Sequence, residues 1–155
     1  RHATDTRTKP ERMLPVMDIR VDWDHRLAFK ATGKSGHEVQ LDGAMDVGGD
    51  EQGFAPMELM LVALAGCTGM DVISILAKKR QEVTAFQVEV HGDRALEHPK
   101  VYTDIHIRYI VTGRHVEPAA VERAITLSET KYCPAQAMLS KAARITHSYE
   151  TRESS

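Results

Sequence analysis

PMELMLVALAGCTGMDVISILAKKR, residues 56–80, carries the clearest helix pattern in the chain. Pro56 suits the first helical turn, Glu58 suits the positive end of the helix dipole, and the basic residues 78–80 suit the negative end. Residues 57–65 are apolar on almost every side, which predicts a helix buried all round. At 1.5 Å per residue this helix would be about 37 Å long. One small domain has too little surface to enclose it, so the segment indicates a homodimer.

The residues before this helix have the pattern of a small sheet. Alternating polar and apolar side chains predict strands at residues 17–23, 27–32 and 37–41. Gly and Ser in residues 33–36 provide the turn between the second strand and the third. We therefore expect an antiparallel meander ahead of the helix.

The residues after the helix mix strands with further helices. Period-two alternation predicts strands around residues 86–90 and 101–111. Pro118 and Pro134 each suit the first turn of a helix, and residues 145–151 form a last strand. Strands, a buried helix, strands, helices and a strand make an α+β chain, with antiparallel sheets around long buried helices.

Length and charge limit the functions that remain. The 155 residues suit one domain, which we place at residues 17–155. Residues 1–16 are polar and basic, and we expect a disordered tail or residues foreign to the natural protein. They lack the apolar core of a secretory signal, and no stretch of the sequence approaches the ~20 apolar residues that span a bilayer, so we expect a cytoplasmic protein without a membrane partner. A net charge of −2 gives no field that would attract nucleic acid.

The chain has two cysteines, and the first lies inside the long helix. Cys67 is flanked by Ala65, Gly66 and Gly69, although each glycine costs a helix roughly 1 kcal/mol. Small neighbours allow another backbone or a ligand to approach closely. The local pattern favours a small buried apolar residue at a tight helix crossing, and a functional thiol is the alternative. In a reducing cytosol, free or redox-active thiols are expected rather than a structural disulfide.

The second cysteine lies at the start of a later helix. With Pro134 at the first helical position, Cys133 becomes the N-cap, near Lys131. Free backbone donors and a nearby cation lower the pKa of a thiol, which predicts a reactive thiolate at Cys133. The alternative is a cysteine that only caps the helix.

Motifs for other chemistries are absent from the sequence. It has no C-x-x-C, no H-E-x-x-H and no paired Cys and His run, so we expect no metal site. It also has no glycine-rich nucleotide-binding motif and no nucleophile-elbow serine, so we expect no cofactor.

Three short motifs resemble the OsmC/Ohr family of osmotically inducible and organic hydroperoxide resistance proteins. They are Ala-Pro-Met-Glu-Leu at 55–59, Ala-Gly-Cys at 65–67 and Lys-Tyr-Cys-Pro at 131–134. The resemblance covers about residues 17–150 and is strongest to an OsmC-like branch with Pro-Met-Glu-Leu and Gly-Cys-Thr patterns.

The resemblance implies a fold and an activity. The fold is an intertwined homodimer with two sheets around long central helices and sites at the interface. The activity is that of a thiol peroxidase for organic hydroperoxides, reset by a dithiol reductant. Cys67 would be the peroxidatic cysteine, and Cys133 would resolve its sulfenic acid to a disulfide.

The sequence departs from the family pattern at one position. Better studied members have a Glu directly after the Pro, which orients an activating Arg; here that position is Met57. Glu58 is nine residues before Cys67 and lies on the opposite face of a regular helix. Arg26 is the nearest candidate for the activating cation. We therefore expect a loosely held cation and slow peroxide reduction.

Three hypotheses follow for the two cysteines. The first is a cysteine-based peroxidase. The second is a non-catalytic binding protein that holds a small apolar or thiol-bearing ligand in a Met-rich pocket at the dimer interface, lined by Met57, Met60, Leu64 and Met70. The third is a purely structural role for both thiols.

Overall fold

The computed structural model describes residues 17–155, so the predicted tail at residues 1–16 lies outside the described residues. The chain divides into two compact units, Arg1–Ala55 and Pro56–Ser155. A single domain over residues 17–155 stays a prediction.

The first unit is the predicted antiparallel meander. Its strands β1 (Ile19–His25), β2 (Ala28–Gly33) and β3 (Glu38–Leu41) pair in the order β1-β2-β3. A short 3₁₀ turn at Met45–Val47 follows. The meander is confirmed, with strand ends shifted by one or two residues, as is usual for boundaries placed by pattern.

One carboxylate organises the loop after β3. Asp42 accepts hydrogen bonds from the backbone N–H groups of Gly43 at 2.7 Å, Asp50 at 3.3 Å and Gln52 at 3.2 Å. Burial opposes ionisation of Asp42, but these amide donors outweigh it and lower the pKa of the carboxyl group. The loop is therefore folded around an ionised side chain.

The second unit combines one long helix, two shorter helices and a three-stranded sheet. Its elements in chain order are α1 (Pro56–Lys78), β4 (Glu82–Arg94), β5 (Tyr102–Arg114), α2 (Pro118–Leu127), a π turn (Ser128–Tyr132), α3 (Pro134–Leu139) and β6 (Arg144–Glu153). Each predicted element of this part of the chain is present, and the mixed α+β class is confirmed.

The pairing of the last strand differs from the prediction of antiparallel sheets. The strand order is β4-β5-β6, and β4 pairs antiparallel to β5. However, β5 and β6 are parallel, from Asp104 opposite Arg144 to Gly113 opposite Glu153. Two parallel neighbouring strands need a long crossover connection. Here α2, the π turn and α3 form that connection and return the chain to the end of the sheet at which β5 begins.

The core of this unit lies between the sheet and the helices. The alternating residues Ile105, Ile107, Tyr109 and Val111 of β5 are buried, as their period predicts. They pack with Val121, Ala124 and Ile125 of α2 in one apolar cluster. The sheet therefore has a core face and an outer polar face, on which His106 and Arg108 lie.

The prediction that α1 is buried on all sides is wrong for this unit by itself. Leu64, Thr68, Val72 and Leu76, spaced four residues apart, are fully buried against the core. The opposite side is apolar but exposed, including Val62 (48 %) and Met70 (73 %). One sheet and two short helices cover only one side of a long helix, so its second apolar face points away from its own unit.

The same helix has the length and composition of a membrane span. Pro56–Lys78 has a mean hydropathy of 2.0 in its most apolar window. A core helix of a soluble protein passes the same test, and one side of α1 packs in the apolar core of its own unit. We therefore interpret α1 as a core helix, and a cytoplasmic location stays a prediction.

Candidate functional site

Cys67 lies about three turns into α1 and is partly buried beside the apolar core. A Cβ at Gly69 would lie 3.4 Å from Val88 of β4, so the missing side chain lets the sheet approach the helix. A Cβ at Gly66 would have nothing within 4 Å, and this glycine is exposed. The two glycines therefore leave one side of the cysteine packed on the sheet and the other side open.

Cys133 is the N-cap of α3, as the Cys-Pro pair predicts. Its sulfur accepts a hydrogen bond from the Gln136 N–H at 3.3 Å, and Pro134 occupies the first helical turn. Its own N–H donates to the Ser128 carbonyl at 2.8 Å, which closes the π turn. Isolated π turns are rare and recur at functional sites. Only 3 % of Cys133 is exposed.

The structure brings the two thiols together within one chain. Both cysteines are free, Cys67 packs against the core cluster that contains Cys133, and the neighbouring Cys67 thiol helps to raise the pKa of Cys133. The two thiols are therefore neighbours, as expected. A disulfide between them and a catalytic role for the pair stay predictions.

The prediction of a low pKa for Cys133 is wrong. Burial raises the pKa of its thiol, and the bond to Cys67 raises it further because that bond stabilises the protonated form. The Gln136 N–H lowers the pKa but does not compensate. Lys131 gives no help, since it is exposed and its ammonium lies 5.2 Å from the centre of the Tyr132 ring. Cys133 is therefore a protonated thiol at neutral pH.

A buried chain of hydroxyl groups lies next to the thiol pair. The Thr68 hydroxyl is 2.7 Å from the Tyr109 hydroxyl and 2.8 Å from that of Ser128. The Ser128 hydroxyl in turn donates to the Asp71 carboxylate at 2.9 Å. Burial raises the pKa of Tyr109 well above its usual range. Four polar side chains thus connect α1, β5 and the π turn in a single network.

Sequence reasoning missed this network for a definite reason. Thr68 and Asp71 follow Cys67 closely in the chain, but Tyr109 is 41 residues from Thr68 and Ser128 is 60. A threonine inside an apolar helix was the available clue, because a buried hydroxyl needs a partner.

A cleft of about 360 Å³ opens on the same flank of α1. Its lining mixes charged, hydroxyl and apolar side chains: Asp71, Ser74, Ile75, Lys78, Lys79, Leu127 and Tyr132. The four residues predicted to line a Met-rich pocket are absent from this lining. Leu64 is fully buried in the core, and Met70 is exposed on another side of the helix. This cleft is therefore not the predicted pocket, and a Met-rich pocket at the dimer interface stays a prediction.

Met57, at the position of the family's glutamate, and the adjacent Glu58 both interact with neighbouring parts of their own unit. The Met57 side chain packs partly buried against the core, and its carbonyl accepts the Tyr102 hydroxyl at 2.6 Å. The exposed Glu58 carboxylate acts on Tyr102, whose pKa is raised mainly by burial. This pair of contacts fixes the first turn of α1 to β5.

The candidate cation Arg26 belongs to the first unit. Its guanidinium donates to the Asp50 carboxylate, which also lies 3.6 Å from His25 Nε2. Sequence reasoning missed Asp50 and expected a loosely held cation; Arg26 has a carboxylate partner after all. Whether Arg26 activates a thiol stays a prediction.

Metal ligands are not clustered in the described part of the chain. Within residues 17–155, no group of three or more His, Cys, Asp or Glu side chains is arranged to hold a metal ion.

Comparison with known proteins places this site in a family. The family model described as OsmC-like protein matches residues 48–148. Protein YhfA of Escherichia coli K12 is 43 % identical over 134 residues, which cover 86 % of this chain and 97 % of YhfA. The crystal structure of a hypothetical protein from Aquifex aeolicus VF5 is 34 % identical with a TM-score of 0.81, covering 92 % of this chain and 100 % of that one.

The fold extends to more distant proteins. An organic hydroperoxide resistance protein OsmC from Legionella pneumophila has a TM-score of 0.69 at 12 % identity, covering 90 % of this chain and 99 % of that one. At this identity the likeness concerns the fold alone. The family model and the YhfA match go further, and together they show that this chain belongs to the OsmC-like protein family.

Proposed function

We propose that the chain is a cysteine-based thiol peroxidase that reduces small organic hydroperoxides through Cys67 and Cys133. The observation that carries the proposal is the proximity of the two thiols within one chain. Cys67 is partly exposed, whereas Cys133 is buried. An accessible thiol backed by a buried one suits attack by the first and resolution by the second.

The reaction has three balanced steps. The Cys67 thiolate attacks the terminal oxygen of ROOH, forming an S–O bond and breaking the O–O bond, and the released alkoxide takes a proton to become ROH. The Cys133 sulfur then attacks the Cys67 sulfenic acid, forming a disulfide and releasing water. An external dithiol restores both thiols by exchange and is itself oxidised to a disulfide.

The raised pKa of Cys133 supports this order of events. A protonated thiol is a poor nucleophile toward peroxide, so Cys133 is spared while Cys67 reacts. A cytoplasmic location, where dithiol reductants are abundant, belongs to the same proposal.

The proposed molecule is a homodimer. The second apolar face of α1, which includes Val62, Gly66, Met70 and Ile73, points away from its own unit. A continuous apolar face on a long helix marks an interaction surface. A second copy of the chain is the occupant that we propose.

The test is consumption of cumene hydroperoxide in the presence of dithiothreitol. Wild-type protein should turn over many equivalents, and Cys67→Ser should consume none. In a parallel reaction without dithiothreitol, Cys133→Ser should consume one equivalent and stop as a sulfenic acid that dimedone labels. Equal consumption by wild type and Cys67→Ser would refute the proposal.

The cleft beside α1 supports a second candidate function. Its volume of about 360 Å³ is enough for a small ligand, and its Ile75 and Leu127 side chains supply apolar contact. In that case the chain binds a small apolar or thiol-bearing molecule without turnover. Calorimetric binding of cumyl alcohol that is unchanged in Cys67→Ser, together with no peroxide consumption by wild type, would favour this function.

A further inference from the structure

The buried hydroxyl network ends on a carboxylate that lies beside the thiol pair. Asp71 follows Cys67 by four residues in α1, so the two side chains share one flank of the helix. We infer that Asp71 is the proton acceptor for Cys133 in the step that forms the disulfide. This inference rests on the proposed pairing of Cys67 with Cys133.

The position of Asp71 relative to Cys133 is fixed by Ser128. The Ser128 hydroxyl donates to Asp71 at 2.9 Å, while the Ser128 carbonyl accepts the Cys133 N–H at 2.8 Å. The same residue therefore anchors the carboxylate and the π turn that presents the cysteine. Thr68 and Tyr109 hold Ser128 from the other side through bonds of 2.8 and 2.7 Å in sequence.

The chemistry of resolution needs a base at this place. Cys133 is buried and protonated, so its sulfur must lose a proton before it can attack. The titratable groups that act on Cys133 are Cys67 and Asp71 from α1 and Tyr109 from β5. Tyr109 keeps its own proton, because burial raises its pKa. Asp71 is thus the carboxylate among these neighbours.

The proposed step accounts for the proton at both ends. Asp71 accepts it from the Cys133 thiol as the new S–S bond forms, and returns it to the hydroxide that leaves the Cys67 sulfenic acid as water. Asp71 also lines the cleft with Ser74 and Tyr132, so it can exchange a proton with solvent when the leaving group needs none. General acid–base groups of this kind contribute about 10²–10⁴-fold to a rate.

The choice of variant distinguishes proton acceptance by Asp71 from a purely structural role. Asp71→Asn keeps an oxygen that accepts the Ser128 hydrogen bond but cannot take a proton. Asp104→Asn is the matched control, since Asp104 accepts a bond from Arg144 at 2.9 Å on the exposed side of the sheet. Circular dichroism spectra and unfolding midpoints should first show that both variants are folded.

The assay uses 5,5′-dithiobis(2-nitrobenzoate), which needs no peroxide. Cys67 attack releases the first thionitrobenzoate, and Cys133 attack on the resulting mixed disulfide releases the second. Asp71→Asn should leave the first phase within about twofold and slow the second by about 10²-fold at neutral pH. Its second phase should also accelerate steadily with rising pH, because hydroxide must replace the missing base.

A second phase in Asp71→Asn that matches Asp104→Asn in rate and pH profile would overturn the inference. Failure of the wild-type protein to consume cumene hydroperoxide would instead contradict the proposed peroxidase function, because the two phases report on Asp71 without any peroxide. The two failures are therefore distinguishable.

Discussion

Replacing Thr68 by valine should destabilise the fold through lost hydrogen bonds alone. Valine has nearly the shape of threonine but no hydroxyl, and Thr68 is fully buried with two hydroxyl partners. Tyr109 loses the bond at 2.7 Å and is itself fully buried, which costs about 1–3 kcal/mol. Ser128 keeps its bond to Asp71, so its loss is about 1 kcal/mol. The expected total is about 2–4 kcal/mol.

The measurement is urea unfolding at one fixed protomer concentration, because the stability of an oligomer depends on concentration. With a slope of about 2 kcal/mol/M for a protein of this size, Thr68→Val should lower the midpoint by about 1–2 M. Thr146→Val is the matched control, since the hydroxyl of this exposed residue bonds the ring of His106 on the outer face of the sheet. We expect a change within about 0.5 kcal/mol there.

Combining Thr68→Val with Tyr109→Phe should cost less than the sum of the two single changes. When both partners of a buried hydrogen bond are removed, neither hydroxyl is left without a partner. The coupling free energy between the two substitutions should therefore be about 1 kcal/mol or more. The network would be unimportant for stability if Thr68→Val cost no more than Thr146→Val.

Three further predictions concern charge, access and assembly. Burial raises the pKa of Tyr109, so its phenol should ionise only as the protein unfolds in alkali, and Tyr109→Phe should abolish that late component of the ultraviolet titration. Because the unfolded phenol ionises first, stability is full below pH of about 10 and falls as the pH rises above it. At neutral pH iodoacetamide should alkylate Cys67 and leave Cys133 unmodified in peptide mass maps, since Cys133 is buried and protonated; equal labelling would refute this. Met70→Glu should weaken the proposed dimer in light scattering, whereas Met138→Glu, at a similar exposure of 75 % against 73 %, should not; two unchanged dimers would place the interface elsewhere.

The elements of the fold were predictable wherever the pattern was local. The charges at both ends of residues 56–80 and the Pro at its start predict α1 within two residues of its observed end at Lys78. Cys-Pro at 133–134 predicts a helix start, and Cys133 is an N-cap. The direction of β6 was not predictable in this way, because it depends on how far α2 and α3 carry the chain, and no residue of β6 encodes that distance.

The surroundings of the two cysteines were predictable only in part. A cysteine at a helix cap suggests a thiolate, yet burial decides the pKa of Cys133, and burial is a property of the folded unit. Similarly, Asp71 looks like an isolated charge in an apolar helix until Ser128 is brought to it across 57 residues. Local sequence therefore identified the two thiols but missed the buried groups that surround them and affect the pKa of Cys133.

The most direct test of the account is a single turnover with one equivalent of cumene hydroperoxide and no reductant, followed by digestion and peptide mass spectrometry. The account predicts one new species in which the peptides of Cys67 and Cys133 are joined by a disulfide within one chain, with the loss of two hydrogen atoms. Cys67→Ser should leave the Cys133 peptide unchanged. Wild-type protein that keeps both thiols free after this treatment, or that joins Cys67 only to a second chain, would contradict it.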